Sequence, residues 1–384
     1  MPKKIKLLIV HPNLETGGAE KQVVQLCKHV DKSKFDVYLA LYQRQGIFLN
    51  ELDGIIHVKI FVLDSQRLRG FLVRLVRLGL LIKRNKPDVV YSYLENANVL
   101  TGSIGLIFRS LRIIWGIRVS QFSNDTRTRR DLVIQKVASI LSFRPDLVIA
   151  NNHQGLEDFL TSGYRIPNPV VIPNGIDCRK FTPSRDGSER IKIRRELNIA
   201  EDTIVIGQIA RVVREKGFDT LIQGLRLLES DVLDKKFVLI CVGRGNPELI
   251  KEYDELCEQL KIRAGVMWLG DRVDIRSILS ACEIVTLAST EGDGFPNVVG
   301  ESLAMQRPTV VTNIGDAAVI VRDTAVVIPP KNPDQLAQAL SWILKNPETV
   351  TEMSKRGRTL IQETFSVERS VRNTENVILE LCGR

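Results

Sequence analysis

Residues 284–304 read IVTLASTEGDGFPNVVGESLA. The run Ile284 to Leu287 has the apolar, β-branched composition of a buried strand. It empties into a glycine-rich loop, Ala288 to Phe295, and Pro296 suits the first turn of a following helix, where its missing N–H has no partner to lose. Strand, glycine loop and helix in that order expose backbone amides at a helix N-terminus, which can hold hydroxyls or phosphate. Asp293 and Glu301, eight positions apart, stand where carboxylates could accept hydrogen bonds from sugar and ribose hydroxyls.

The same punctuation recurs in both directions. Downstream of Ser184 to Ser188, strands are expected at Val205 to Ile209, Phe237 to Val242, Val266 to Leu269, Ile284 to Leu287, Thr309 to Thr312 and Ala325 to Ile328. Upstream they are expected at Ile5 to Val10, Val37 to Leu41, Val58 to Val62, Val89 to Ser92, Ile113 to Ile117, Leu147 to Ala150 and Val170 to Ile172. Buried-type strands alternating with helices indicate parallel sheets covered on both faces. A chain of 384 residues exceeds one ordinary core, so the expected fold is α/β, two doubly wound domains. Their expected spans are 1–183 and 184–365, with an amphipathic last helix in 366–384 packing back on the first.

Two further loops carry candidate chemistry. After the strand Val205 to Ile209 comes Arg211-Val-Val-Arg-Glu-Lys216-Gly217, and Arg211 and Lys216 are suited to clamping a diphosphate. Solvated loop cations would read the same way. After the first strand, Gly17 and Gly18 precede a helix from about Ala19 to Val30; they form a ligand cradle or simply a tight turn.

Composition limits the class. Hydrophobic residues at 44% and charged residues at 26% are ordinary for a globular protein, arguing against disorder or a membrane bundle. Lys3, Lys4 and Lys6 precede only Leu7 to Val10 before His11, too short for the core of an export signal. The six cysteines lack metal-type spacing and read as reduced core thiols of a cytoplasmic protein. His11, His29, His57 and His153 lack it too, and only His11 adjoins a candidate ligand loop. A net charge of +9 invites nucleic acid, but no series of stacking aromatics accompanies it. The charge gathers instead in the N-terminal half. Between Arg67 and Lys86, Leu68, Phe71, Leu72, Leu75, Leu78 and Ile82 share one helical face and Arg67, Arg74, Arg77 and Arg84 another, with Arg109, Arg112, Arg127, Arg129 and Arg130 in the same domain. Such a helix either lies on an anionic membrane surface or packs on its sheet with a solvated basic face.

Taken together, Gly17-Gly-Ala-Glu20, Ile172-Pro-Asn-Gly-Ile-Asp177 with Phe181 and Pro183, Arg211 to Gly217, Val242-Gly-Arg-Gly245, Leu269-Gly270 and Glu291 to Ala304 resemble the retaining glycosyltransferases of family four. The resemblance covers almost the whole chain and implies the GT-B architecture of two facing Rossmann-like domains. It implies that Arg211 and Lys216 bind the donor diphosphate and that Glu301 binds the donor ribose. Asp293, with backbone of Gly294, Phe295, Pro296 and Asn297, would contact the transferred sugar, and Ser302 and Leu303 would offer amides to phosphate. Gly243 and the turn Leu269 to Arg272 would line the base pocket, and Gly17 and Gly18 would face the diphosphate.

Two departures from the family pattern matter. The family commonly has glutamate where this chain has Asp293, and Glu291 lies two residues earlier, so either could take the role; Gly-Phe-Pro-Asn following directly favours Asp293. Many members carry histidine where Trp115-Gly-Ile-Arg-Val-Ser120 places Arg118, which cannot be a base at neutral pH. It would orient the sugar, neutralise phosphate or cap strand-end carbonyls.

The implied function is transfer of a hexose-type sugar from a nucleotide diphosphate donor, of which UDP-sugar is the family-level choice, with retention and without a metal or other cofactor. The acceptor would be a glycan or lipid-linked molecule of cell-surface polysaccharide synthesis, reached from the inner face of the membrane. A nucleotide-sugar epimerase of the same architecture and a nonenzymatic sugar-nucleotide binder are the alternatives.

Overall fold

The computed structural model describes residues 3–384 apart from 16, 53, 56, 65–69, 119–127 and 185. They form two units, Met1–Gly175 with Val367–Arg384, and Ile176–Ser366.

In the first unit, β1 (Ile5–His11), β2 (Phe35–Leu41), β3 (Val58–Val62), β4 (Val89–Tyr93), β5 (Arg112–Ile117), β6 (Leu147–Ala150) and β7 (Pro169–Val171) form a sheet in the order β3-β2-β1-β4-β5-β6-β7. In the second, β8 (Ile204–Ile209), β9 (Phe237–Val242), β10 (Gly265–Trp268), β11 (Ile284–Leu287), β12 (Thr309–Thr312) and β13 (Val326–Ile328) run β10-β9-β8-β11-β12-β13. All the pairings within the sheets are parallel. The thirteen expected strands are all present, displaced by at most two residues at an end.

Side chains alternate across a strand, so a strand buried on both faces must be apolar throughout. Along β1, Ile5, Leu7 and Ile9 enter one core and Leu8 and Val10 the other. Along β9, Leu239 and Cys241 face one way, Ile240 and Val242 the other. This is why a strand such as β9 was legible as an unbroken apolar run.

The chain leaves the first unit after Gly175, ahead of the break expected at 183/184, because Ile176 and Phe181 are buried in the core of the second. The polar stretch after Ser184 instead forms a turn in which Asp186 accepts from Ser184 and Ser188 hydroxyls. The last helix, Val367–Leu381, buries Val367, Val371 and Ile378 in the first unit's core.

The basic helix spans Phe71–Asn85, and its inward face differs from expectation. Leu78, Leu81 and Ile82 are buried, whereas Phe71 and Leu72 are exposed, Leu72 at 74%, as are Val76 and Leu80. Two of the arginines expected on the solvated face turn inward. Arg74 makes a two-pronged ion pair with Asp64 at 2.8 Å on each prong and lies 4.2 Å over the Tyr42 ring, and Arg77 donates to the Leu63 carbonyl at 3.0 Å. The acceptors at the end of β3 claim these guanidinium groups. Arg67, Leu68 and Arg127 lie outside the described residues, as do Thr16, Val119 and Ser120.

One buried cation holds the end of the second sheet opposite its loops. Arg194, on the helix Ser188–Glu196, donates to the carbonyls of Ala200 (2.8 Å) and Thr203 (3.0 Å) and to Glu283 Oε2 (2.5 Å), which also accepts from the amide of Val205. The pair thereby joins the starts of β8 and β11. Arg194→Met should destabilise the protein by about 1–3 kcal/mol, since it takes a charged donor from two carbonyls and from Glu283, which keeps Arg190 at 2.9 Å and the Val205 amide. Urea unfolding read by circular dichroism measures this; a loss under 1 kcal/mol would mean that the pair is dispensable.

Candidate functional site

The strand order of the second unit reverses between β8 and β11, so the loops leaving these two strands diverge from a crevice at their carboxyl ends, where α/β sheets bind ligands. The two loops meet at backbone level. The Thr290 amide donates to the Glu215 carbonyl at 2.8 Å, and Gly217, in the left-handed region at φ +61°, sits so close to the Ala288 carbonyl that any Cβ would collide with it. Glycine is demanded there twice over.

This contact delivers Lys216 Nζ to Asp293 Oδ1 as an ion pair. Asp293 is buried, and its second oxygen, Oδ2, has no hydrogen-bond partner; the buried Ser289 hydroxyl has none either. A desolvated carboxylate oxygen without a donor is costly, so Oδ2 is a ready acceptor for a ligand hydroxyl. Glu301 is buried on the helix Asn297–Ala304, while Glu291 is half-buried beside Gly292. Lys216 therefore meets Asp293 and not Glu291.

The loop is backed from the other side by Gly315, at φ +56°, where a side chain would strike the Asp293 carbonyl, and by the Asp316 amide, which donates to the Gly294 carbonyl at 3.2 Å. Phe295 anchors the loop in the core against Phe365, ring centroids 5.6 Å apart. Pro296 is the residue capping the helix rather than part of its first turn. Ser302 and Leu303, expected to offer amides to phosphate, are buried in the second turn, where amides close on carbonyls four residues back; the Ser302 hydroxyl also bonds the Val298 carbonyl at 2.7 Å. That expectation gives way to the first turn, which begins at Asn297.

The remaining loops of this sheet edge are stitched together by glycines. The Gly243 amide donates to the Gly270 carbonyl at 2.8 Å, and Gly243, at φ +143°, lies against the Ala210 carbonyl with no room for a Cβ. Arg211 is exposed beside them. The Arg272 guanidinium is engaged by Asp274 (2.7 and 2.8 Å) and Glu196 (2.8 Å), which leaves the turn's backbone rather than this side chain to a ligand.

In the first unit the reversal falls between β1 and β4. Arg118, following β5, is half-buried: Nη2 donates to the Tyr91 hydroxyl at 2.6 Å, Nη1 to Asn174 Oδ1 at 3.2 Å, and the group lies 4.6 Å over the Tyr93 ring. It caps no strand-end carbonyl through these nitrogens. It lines a cavity of about 190 Å³ with Glu95, Asn96, Asn98, Asp131 and Phe159.

His11, at the end of β1, is wholly buried. Its Nδ1 lies 2.5 Å from the Asn13 carbonyl, a contact that places the ring proton on Nδ1 and leaves Nε2, which has no partner, as an acceptor. Gly17 is extended at φ −175°, a conformation open to any residue, so the tight-turn reading does not explain it. The glycine demanded near this loop is Gly46, in the loop after β2, which at φ +119° is pressed against the Leu14 carbonyl.

Residues 16–180 match Glycosyltransferase Family 4, and residues 189–360 match Glycosyl transferases group 1. The chain belongs to the GT-B glycosyltransferases of group 1. An uncharacterized glycosyltransferase of Methanocaldococcus jannaschii is 26% identical over 226 residues, covering 56% of this chain and 55% of that protein. The UDP-Gal:alpha-D-GlcNAc-diphosphoundecaprenol alpha-1,3-galactosyltransferase of Escherichia coli is 22% identical over 390 residues, covering 98% of this chain and 97% of that one. Among solved structures, Anabaena HepE in complex with UDP and glucose superposes with a TM-score of 0.82 at 21% identity, over 97% of this chain and 99% of that one.

Against this glycosyltransferase framework, the structure brings Lys216, Asp293, Gly294, Phe295, Pro296, Asn297 and Glu301 onto the edge of one sheet, with Arg211 and Gly243 on neighbouring loops of it. Two residues there escaped the sequence reading. Gly315 had only a turn signal after β12. Gln208 had a clearer one, a carboxamide inside the apolar strand Ile204–Ile209, and it is wholly buried.

The neutral state of His11 has a measurable consequence. Burial lowers its pKa from 6.5 to about 4, the Arg118 charge adding to the shift and the Asn13 hydrogen bond opposing it. The unfolded chain thus binds a proton that the folded chain refuses as pH falls below 6.5, and stability falls with it by up to about 1.4 kcal/mol per pH unit until pH 4. His11→Gln should flatten this limb. Urea unfolding of both proteins at pH 7.5 and pH 5 tests it, and equal acid-side losses would assign the effect to other groups.

Proposed function

We propose that this glycosyltransferase takes a hexose-type sugar from a UDP-sugar and transfers it with retention to a glycan or lipid-linked acceptor of cell-surface polysaccharide synthesis. The observation that carries the donor site is the Lys216–Asp293 pair, with Asp293 Oδ2 buried and unpartnered. The choice of UDP is supported by HepE, whose structure contains it, and by the galactosyltransferase, whose name specifies a UDP-sugar and a diphosphoundecaprenol acceptor.

In this reading Lys216 and Arg211 neutralise the leaving diphosphate, Asp293 accepts from a hydroxyl of the transferred sugar, and Glu301 accepts from the donor ribose. The sugar's bond to the diphosphate oxygen breaks as the acceptor oxygen bonds the anomeric carbon on the same face, and the departing diphosphate oxygen takes the acceptor proton. The protein then supplies position and fixed charge, and no side chain needs to act as base. No metal is invoked, since the two cations already oppose the charge that develops.

UDP at about 100 times its dissociation constant should raise stability by about 2.7 kcal/mol, visible as a thermal shift. Lys216→Ala should lower kcat on the order of 10²-fold, as loss of a charge-stabilising donor does. Asp293→Asn should be similarly impaired, Glu301→Gln should weaken UDP binding, and Glu291→Gln should behave like the parent. No shift with any nucleoside diphosphate would remove the donor reading, and a reversed ranking of the two acidic residues would move the sugar contact to Glu291.

Peripheral contact with the inner face of an anionic membrane is part of the same proposal, and its basis is broader than the basic helix alone. Exposed Leu72, Val76 and Leu80 are accompanied on the helix Arg129–Leu141 by Leu132, Val133, Val137 and Ile140, with Val133 and Ile140 above 60% exposed, and by Phe143 beyond it. Exposed Lys83, Arg84, Arg129, Arg130 and Lys136 are interspersed. Apolar side chains ringed by cations suit an anionic lipid surface, each cation contributing about 1 kcal/mol near it. No helix among the described residues is long and apolar enough to cross a membrane. The double variant Val133→Gln, Ile140→Gln should lose most cosedimentation with vesicles of anionic phospholipid, while donor hydrolysis stays at the parent level. Equal cosedimentation of variant and parent, or none by either, would leave these helices without a membrane role.

A further inference from the structure

Gln208 is the next-to-last residue of β8 and is wholly buried among Val205, Ile206, Gly207 and Ile209. A carboxamide in such a place is costly unless both ends are satisfied. Both are. Nε2 donates to the backbone carbonyl of Lys216 at 2.8 Å, and Oε1 accepts from the backbone amide of Ala288 at 3.1 Å, with the Thr286 hydroxyl 3.4 Å away. One side chain therefore holds the loop bearing Lys216 at that very residue, and holds the loop bearing Asp293 at its first residue after β11.

We infer that Gln208 is a positioning residue for transfer, setting where the Lys216 ammonium stands relative to Asp293 and to the diphosphate. The inference rests on the donor site proposed above. A cation on a flexible four-carbon stem stabilises a developing charge only if its backbone is fixed, and a displacement near 1 Å can cost about 10²-fold in rate. The contacts between the two loops, Thr290 to Glu215 and Gly217 to Ala288, fall on the residues either side of Lys216, and the Lys216 amide donates to the Val213 carbonyl at 3.0 Å within its own loop. The Gln208 bond falls on the Lys216 carbonyl itself. Thr286, whose hydroxyl also lies 3.3 Å from the Gly207 carbonyl, braces the carboxamide from β11.

A double-mutant cycle on the full-length protein tests this. Gln208→Met keeps the volume and removes both hydrogen bonds, and it should lower kcat about tenfold or more while changing the dissociation constant for UDP by less. In a Lys216→Ala background the same substitution should change kcat by less than about twofold, because the group it positions is gone; a residue that only supports the fold would lower both backgrounds alike. Gln208→Glu retains an acceptor for Ala288 and loses the donor to Lys216, so it should show the same non-additivity, and it serves if the methionine variant does not fold. Additive losses, or a kcat for the folded Gln208→Met protein within twofold of the parent, would overturn the inference. A Lys216→Ala protein as active as the parent would overturn the donor site beneath it, a result separable from the first by the single variants.

Discussion

A carboxylate taken out of water needs a cation, and Asp293 has Lys216. The two lie on loops from neighbouring strands, so their meeting constrains everything around them. Gly217 has no side chain because the Ala288 carbonyl occupies that space, and Gly315 has none because the Asp293 carbonyl does. Parallel strands with a reversal of order between β8 and β11 are what bring the loops side by side in the first place. The ion pair is thus a tertiary property of the sheet rather than a local property of either loop.

The first unit repeats the strand order with different interior chemistry. There the stretch Pro173-Asn174-Gly175 is held residue by residue. The Ser370 hydroxyl donates to the Pro173 carbonyl at 2.7 Å, Arg118 binds the Asn174 side chain, and Gln22 clasps both backbone groups of Gly175, at 3.0 and 2.9 Å. Arg118 is consequently part of a polar framework of Tyr91, Tyr93 and Asn174 as well as a wall of the adjoining cavity. The framework explains how a guanidinium can be held in this place: it faces a tyrosine ring, a hydroxyl and an amide oxygen.

How far the sequence could be read depended on how local each cause was. Strands such as β9 were legible because burial on both faces requires an apolar residue at every position, and Phe237 to Val242 supplies it. The loop Ala288 to Pro296 was legible because glycine and proline have few other uses between a strand and a helix. Gln208 and Gly315 were not, since what they touch lies up to 80 positions away and no spacing rule links them. The helix Phe71–Asn85 misled for another reason: its apolar residues cover more than one face, so periodicity alone could not say which face meets the sheet or that Asp64 would draw Arg74 inward.

The helix Val367–Leu381 buries its apolar face in the first unit although the whole of Ile176–Ser366 separates it from the rest of that unit. One compact body is therefore inserted into another. On a ribosome adding roughly 5–20 residues per second, the second unit takes on the order of ten to forty seconds to emerge. Throughout that interval the apolar surface around Val23, Leu26 and Val30, which shares a core with Val371 and Ile378, lacks the cover that this helix gives it. The nascent first unit must wait, open on one side, while the sheet that carries Lys216 and Asp293 is completed, and only the segment Val367–Leu381, made after that sheet, can close it.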